Sequence, residues 1–355
     1  MVNGLREVIA IDLLLIFLLG AGAYVGWNIG ANDTANCFGT TVGCRLLSFR
    51  KAVLLVAAFA VLGAVFQGHH VMKTVGKGIV ITDAAAFEAH NAAPTPAEFR
   101  EYFPEGRLPD LAILVALLSA GFFVTLATFT STPVSTSQAI VGGVAGVGVG
   151  IVGAQAEYFK LGVLLKILGA WVISPILTMI MAFIVYLLLG LALRRARAIV
   201  WSNMMAIAVL VSAAYVSYSL GANDVGNAIG PLLNKFPDKG PHLAALGGVA
   251  MAVGALTFGQ RVTDTVGKNI TPLDYAGALS AQLAAGVGVH VFSVLGIPVS
   301  TSQAVVGGVV GVGLTKGTQA VSTGKITRIF VGWVVTPTCA AVFAATLYRL
   351  LSFLL

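Results

Sequence analysis

Two carboxylates stand where a carboxylate is costly. Asp33 lies in Gly30-Ala31-Asn32-Asp33-Thr34-Ala35-Asn36, and Asp224 lies in Gly221-Ala222-Asn223-Asp224-Val225-Gly226-Asn227. Each phrase closes a long apolar run, where an acidic side chain needs a partner. Each Asp has two amides beside it, Asn32 and Asn36 in one copy, Asn223 and Asn227 in the other. Carboxylate and amide oxygens are hard ligands that suit hard cations. No histidine accompanies them, and Cys37, Cys44 and Cys339 have no metal-ligand spacing, which disfavours a transition metal and a disulfide framework. A lone intramembrane Asp could simply cap a helix or pair with a basic residue. Two matched copies favour a weak, reversible, oxygen-only site for a monovalent cation such as sodium. Gly30, Gly39, Gly221 and Gly230 are expected to let the backbone open and offer carbonyls to it.

A second pair of phrases suits an anion. Pro133-Val134-Ser135-Thr136-Ser137-Gln138 recurs as Pro298-Val299-Ser300-Thr301-Ser302-Gln303. Ser135 with Gln138 fits the S-x-x-Q capping-box pattern, so a helix starts there inside apolar sequence. That predicts a re-entrant hairpin. Capping needs one hydroxyl, whereas each tip offers three and an amide. A helix N-terminus carries free N–H groups and partial positive charge, so two facing tips could surround a tetrahedral oxyanion. Arg is absent from both tips, which favours release over storage.

Other features carry less. The Gly-rich tracts 142–153 and 307–313 contain no G-x-x-x-x-G-K-[ST] phrase and are expected to pack helices closely. Lys77 and Lys268, in matching T-V-G-K phrases, could gate the site or snorkel to an interface. His69-His70 has no counterpart, since Gln260-Arg261 stands there. Trp171 and Trp333 read as packing or interface anchors.

The elements that must position these residues are membrane helices. Of 355 residues, 57% are hydrophobic and 10% charged, against about 25% charged in soluble domains. Spanning-length apolar runs recur, with room for about ten crossings. The N-terminal run is expected to be a retained span, not a cleaved signal. The net charge of +7 is spread over short loops, which points to topology and anionic lipid and not to nucleic acid. Residues 82–110 form one sizeable extramembrane loop, with Pro94, Pro96, Pro104 and Pro109 and six of the 14 acidic residues.

The chain is duplicated. The Asp phrase and the T-V-G-K phrase recur 191 residues later, and the P-V-S-T-S-Q phrase 165 residues later. Trp333-Val334-Val335-Thr336-Pro337 follows Trp171-Val172-Ile173-Ser174-Pro175 by 162. The acidic loop, which the second half lacks, accounts for the drop. The expected organisation is a first repeat at 1–193, a short basic connector at 194–198 and a second repeat at 199–355. The first span is expected at about 8–28, ending in the first Asp phrase, and the tracts around Pro175 and Pro337 are expected to be two short crossings each. With the acidic loop outside and Arg194, Arg195 and Arg197 inside, each repeat crosses an odd number of times and the second is inverted. The first hairpin is then expected to enter from the inner face. The fold class is an all-α polytopic membrane protein of two inverted-topology repeats, each with broken helices and a re-entrant hairpin.

The duplicated G-A-N-D phrase resembles the signature of the inorganic phosphate transporter (PiT) family, sodium- or proton-coupled phosphate permeases. That signature is a duplicated G-A-N-D-V-A-N-A, here GANDTANC and GANDVGNA; Thr34, Cys37 and Gly226 depart from it. The P-V-S-T-S-Q hairpins are similar too, and the likeness covers essentially the whole chain. The resemblance implies secondary transport of inorganic phosphate, with the hairpins in a moving core. It implies cation sites at Asp33, Asn36, Asp224 and Asn227. Phosphate is assigned to Ser135, Thr136, Ser137, Gln138, Ser300, Thr301, Ser302 and Gln303, with Asn32 and Asn223. The expected protein is a sodium-coupled phosphate symporter of the cell membrane, working by alternating access, with sodium ions as coupling ions and no other cofactor. Proton coupling at the two Asp residues is the first alternative and an anion channel the second. No H-E-x-x-H or G-x-S-x-G phrase supports an enzyme. Membrane lipid and a homo-oligomeric neighbour are the expected partners.

Overall fold

The computed structural model describes residues 2–43, 46–129, 134–193, 198–269, 273–317 and 323–354. The first half contains α1 (Val2–Gly43), α2 (Phe49–Gln67), the short α3 (His69–Lys77), and α4 (Ala84–Asn91) and α5 (Phe99–Tyr102) in the acidic loop. It continues through α6 (Asp110–Phe129), α7 (Thr136–Val152) and α8 (Leu161–Leu193). The second half contains α9 (Ala198–Leu220), a π-helical turn at Gly221–Val225, α10 (Gly226–Ile229), α11 (Gly240–Asn269), α12 (Tyr275–Val294), α13 (Thr301–Thr315) and α14 (Thr323–Leu354). Eight helices among the described residues are long and apolar enough to cross a membrane, and α7 and α13 are shorter apolar helices. This is an all-helical, multi-pass membrane protein.

Three expectations need correction. The apolar span runs from Leu13 to Thr34 and does end within the first Asp phrase, but the backbone does not open there: α1 runs unbroken through Gly30 and Gly39. Only the second phrase is irregular, at the π-helical turn. The tracts around Pro175 and Pro337 are not paired short crossings either. Each proline lies inside one continuous helix, α8 or α14, because a membrane helix can lose one backbone bond where neighbouring packing and hydroxyls compensate. The third correction concerns the first hairpin. α6 begins at the end of the acidic loop, and the strap after α7 returns to the loop's start, where the Ile81 amide donates to the Tyr158 carbonyl and the Lys160 amide to the Ile79 carbonyl. Both ends of the α6–α7 pair therefore lie on the acidic-loop face, not the opposite one.

The α12–α13 pair is closed at the other end of the molecule. Asp274 caps α12 through the Gly277 amide at 3.1 Å, accepts from the Tyr186 hydroxyl at 3.3 Å and pairs with Lys316 at 3.5 Å. Tyr186 lies 25 residues along α8 from Leu161, about 38 Å at the α-helical rise. The bases of the two pairs thus sit near opposite ends of α8.

Glycine permits the closest contacts. A Cβ on Gly30 would lie 1.8 Å from the Met251 carbonyl oxygen, and one on Gly221 would lie 1.9 Å from that of Ala60. These glycines let α1 meet α11 and the π-helical turn meet α2; at Gly30, inside unbroken α1, the contact alone explains the residue, whereas Gly221 also opens the π-helical turn. The hairpin helices use glycine the same way across the halves. Gly142 of α7 meets the Pro337 carbonyl of α14, and Gly307 of α13 meets the Pro175 carbonyl of α8. Close packing was the expected role of both Gly-rich tracts. The halves are interlocked, each hairpin being backed by the long helix of the other half.

The acidic loop has a small core of its own. Phe87, Phe99, Phe103 and Tyr158 are buried against one another, with Phe87 5.2 Å from both Phe99 and Tyr158 between ring centroids. Arg107 pairs with Glu105 at 2.7 Å and Asp110 at 2.5 Å, and Lys235 reaches Asp110 at 2.7 Å. This network ties the loop to the segment that follows the second Asp phrase.

Candidate functional site

The start of a helix has free donors, and both hairpins start their second helix beside an Asp. Ser135 caps α7 by accepting from the Gln138 amide, and Ser300 caps α13 by accepting from the Gln303 amide, each at 3.2 Å. The return half of the capping box is not made, because Gln138 Oε1 and Gln303 Oε1 are buried without a hydrogen-bond partner among the described residues. With the caps satisfied by Ser135 and Ser300, the next two hydroxyls of each tip are available for other work.

They converge on the carboxylates. Thr136 donates to Asp33 Oδ2 at 2.6 Å and Thr301 to Asp224 Oδ2 at 2.8 Å, each within its own half. Ser302 reaches across to Asp33 Oδ1, and Ser137 reaches across to Asp224 Oδ1, both at 2.9 Å. Each Asp is held by one hydroxyl from each hairpin. Asp33 is 2% exposed and Asp224 1%. Neither forms an ion pair with Lys, Arg or His among the described residues. Hydroxyl donors lower the cost of two buried negative charges without cancelling it. A bound cation or a proton would balance them.

The asparagines divide their roles. Asn227 donates to Ser137 Oγ at 2.7 Å and to Asp224 Oδ1 at 3.3 Å, inside the expected cation site. The Asn36 side chain lies outside the described residues. Asn32 and Asn223, expected at phosphate, are placed as staples. Asn32 Oδ1 accepts from the Val134 amide at 3.4 Å and Asn223 Oδ1 from the Val299 amide at 3.3 Å, fixing each turn before its helix. Their amide groups donate to Thr128 at 3.1 Å and Ser293 at 3.0 Å. Thr128 and Ser293 were not singled out from the sequence, yet they stand 165 residues apart, the spacing of the hairpin repeat. That spacing was the signal that could have found them.

The ten residues assigned to phosphate meet different partners. Thr136, Ser137, Thr301 and Ser302 face the carboxylates, and Ser135 and Ser300 are caps. Gln138 and Gln303 line a cavity of about 520 Å³ with Trp171, Trp333, Pro175 and Pro337. The Trp171 indole donates to the Pro298 carbonyl at 3.1 Å, so α8 holds the second hairpin tip. Lys77 is exposed and makes no approach to the carboxylates; the Lys268 side chain lies outside the described residues. His69 and His70 are exposed, with rings 4.0 Å apart.

A helical, multi-pass membrane protein with buried carboxylates at the meeting N-termini of two short apolar helices has the build of a carrier. The phosphate transporter family model matches residues 29–344, and the chain belongs to that family. It is similar at 29% identity, over 96% of this chain and 97% of the other, to a Thermococcus kodakarensis protein named "Putative phosphate permease TK2061". It is 28% identical to "Inorganic phosphate transporter 2-1, chloroplastic" of Arabidopsis thaliana, over 94% of this chain and 72% of that one. A solved structure titled "The sodium-dependent phosphate transporter" superposes with a TM-score of 0.81 at 27% identity, covering 97% of this chain and all of that one. The protein is thus a transporter and not an enzyme.

Proposed function

We propose that this protein is a sodium-coupled inorganic phosphate symporter that works by alternating access. The observation that carries the proposal is the crossed arrangement at the two carboxylates. Asp33 and Asp224 each take hydroxyls from both hairpins and have no basic partner among the described residues. Oxygen-only surroundings suit sodium, and the solved relative titled as sodium-dependent supports that choice. Sodium at Asp33 and Asp224, with Asn227 beside the second and Asn36 assigned beside the first, neutralises the site. The N-termini of α7 and α13 then face phosphate without two negative charges behind them. Phosphate is assigned to the hairpin tips, residues 135–138 and 300–303, where the backbone N–H groups that open α7 and α13 and the side-chain amides of Gln138 and Gln303 supply donors.

We take 1–193 and 199–355 as inverted repeats, joined by the connector 194–198. Supporting this, the two hairpin bases lie near opposite ends of α8. Alternating access then exchanges which face the interlocked core opens to. Lipid covers the apolar outer faces of α8 and α14, where Leu165, Leu191 and Phe353 are exposed.

Phosphate binding measured calorimetrically in sodium and in potassium at one pH tests the assignment. Binding should tighten with sodium, and sodium binding should tighten equally with phosphate, because linkage is reciprocal. Phosphate affinity that is the same in both salts would remove sodium from the mechanism and leave proton coupling.

A further inference from the structure

Ser137 and Ser302 differ from the threonines beside them. Thr136 and Thr301 each meet a carboxylate. Ser137 Oγ has two acceptors in reach, Asp224 Oδ1 at 2.9 Å and the Val299 carbonyl at 2.7 Å. Ser302 Oγ likewise reaches Asp33 Oδ1 at 2.9 Å and the Val134 carbonyl at 3.2 Å. A hydroxyl has one proton and two lone pairs, so each serine can serve one of its acceptors at a time. In both cases the carbonyl belongs to the opposite hairpin tip. Asn227 already donates to Ser137 Oγ, which occupies one lone pair and leaves the other for a third contact.

We propose that Ser137 and Ser302 are positioning residues that act as hydroxyl switches, carrying the cation state of each Asp to the opposite hairpin. This rests on the cation sites proposed above. Beside a bare carboxylate, the serine proton goes to the charge, because a charge-assisted hydrogen bond is the stronger one. When a cation sits on the carboxylate, that proton is repelled. The hydroxyl turns its proton to the Val299 or Val134 carbonyl and its lone pair to the cation. Both acceptors are already within reach, so only the hydroxyl proton needs to turn. Each cation thereby adds a bond between the two hairpin tips. Ser137 responds to the second half's Asp and Ser302 to the first half's, so both cations tighten one shared contact. Two sites that stabilise the same contact bind cooperatively. The threonines, which have no second acceptor among the described residues, act on one carboxylate each without this coupling.

The test is the sodium-activation curve of phosphate uptake in proteoliposomes for the unaltered protein, S137A, S302A, S137T and T301V. The unaltered curve should be sigmoidal. S137A and S302A should each flatten it to a simple hyperbola, and S137T, which keeps the hydroxyl, should restore the sigmoid. T301V should shift the midpoint, because Asp224 loses a hydroxyl neighbour, and stay sigmoidal. Sigmoidal curves in both S137A and S302A, or equal flattening in T301V, would overturn the switch. Sodium-induced thermal stabilisation confirms folding of each variant, and S137C, which donates weakly, replaces S137A if that variant does not fold. Uptake by the unaltered protein that ignores sodium and follows pH would refute sodium coupling alone. The same variants on the proton-activation curve then judge the switch by the same two outcomes.

Discussion

Ser302 donates to Asp33 across 269 residues of chain at 2.9 Å, and Ser137 makes the equivalent bond to Asp224 at the same distance. The carboxylate of one half is therefore part of the other half's hairpin contact. Neither hairpin can withdraw without stripping a donor from both Asp residues, so a movement of either tip would change the surroundings of both charges.

Neutralising either Asp should abolish the coupling. Asp33→Asn and Asp224→Asn keep an acceptor oxygen but remove the charge proposed to hold a cation. Sodium-driven phosphate uptake should fall about a hundredfold or more in each, since several charge-assisted contacts are lost together. Initial rates over a range of sodium concentrations check this. Near-normal sodium-driven uptake by either variant would remove that carboxylate from the cation site.

The asparagine staples should matter for the tip and not for the cation. Asn223→Ala leaves the buried Val299 amide without its acceptor and Ser293 without its donor, a cost of about 1–3 kcal/mol. The expected result is lower phosphate affinity with the sodium midpoint little changed. Equal loss of both would place Asn223 with the cation ligands.

Trp171→Phe tests whether α8 fixes the second hairpin. An aromatic ring is kept, though a smaller one, and the Pro298 carbonyl loses its indole donor. Stability should fall by about 1 kcal/mol and uptake should slow, and the comparison of thermal unfolding with initial rate separates the two. Unchanged values for both would show that this bond carries no weight.

Gly30→Ala and Gly221→Ala test the close helix contacts. The added Cβ meets backbone oxygen at 1.8 and 1.9 Å, and backbone cannot give way as a side chain tip can. Overpacking of this kind costs about 1–3 kcal/mol or more. Thermal unfolding in detergent should show a clear drop, whereas Gly162→Ala, where nothing stands within 4 Å, should leave stability nearly unchanged.

Much of the site was legible because it was written twice. The Asp phrases and the hairpin tips are short, polar and set in apolar sequence, where every polar group needs a reason. Their repetition tied Asp33 to Asp224 and Ser137 to Ser302 as equivalents. Which partner each hydroxyl meets was not legible, because the crossing between halves is a property of packing. Asn32 and Asn223 look like any other amide beside an acid; that they hold the Val134 and Val299 amides follows from the turn geometry. Continuity of α8 and α14 through Pro175 and Pro337 was hidden for a similar reason. Proline marks a break in water, but surrounded by lipid and packed helices the chain has no better conformation than helix. The glycines of the Asp phrases invited an explanation by flexibility, and only the positions of Met251 and Ala60 show that they make room.

Radiolabelled phosphate uptake into proteoliposomes at fixed pH tests the central claim most directly. An inward sodium gradient is compared with an equal potassium gradient, each with and without a proton ionophore. Accumulation with sodium alone, unaffected by the ionophore, is the predicted result. Accumulation that is indifferent to sodium and abolished by the ionophore would contradict it and make Asp33 and Asp224 proton carriers.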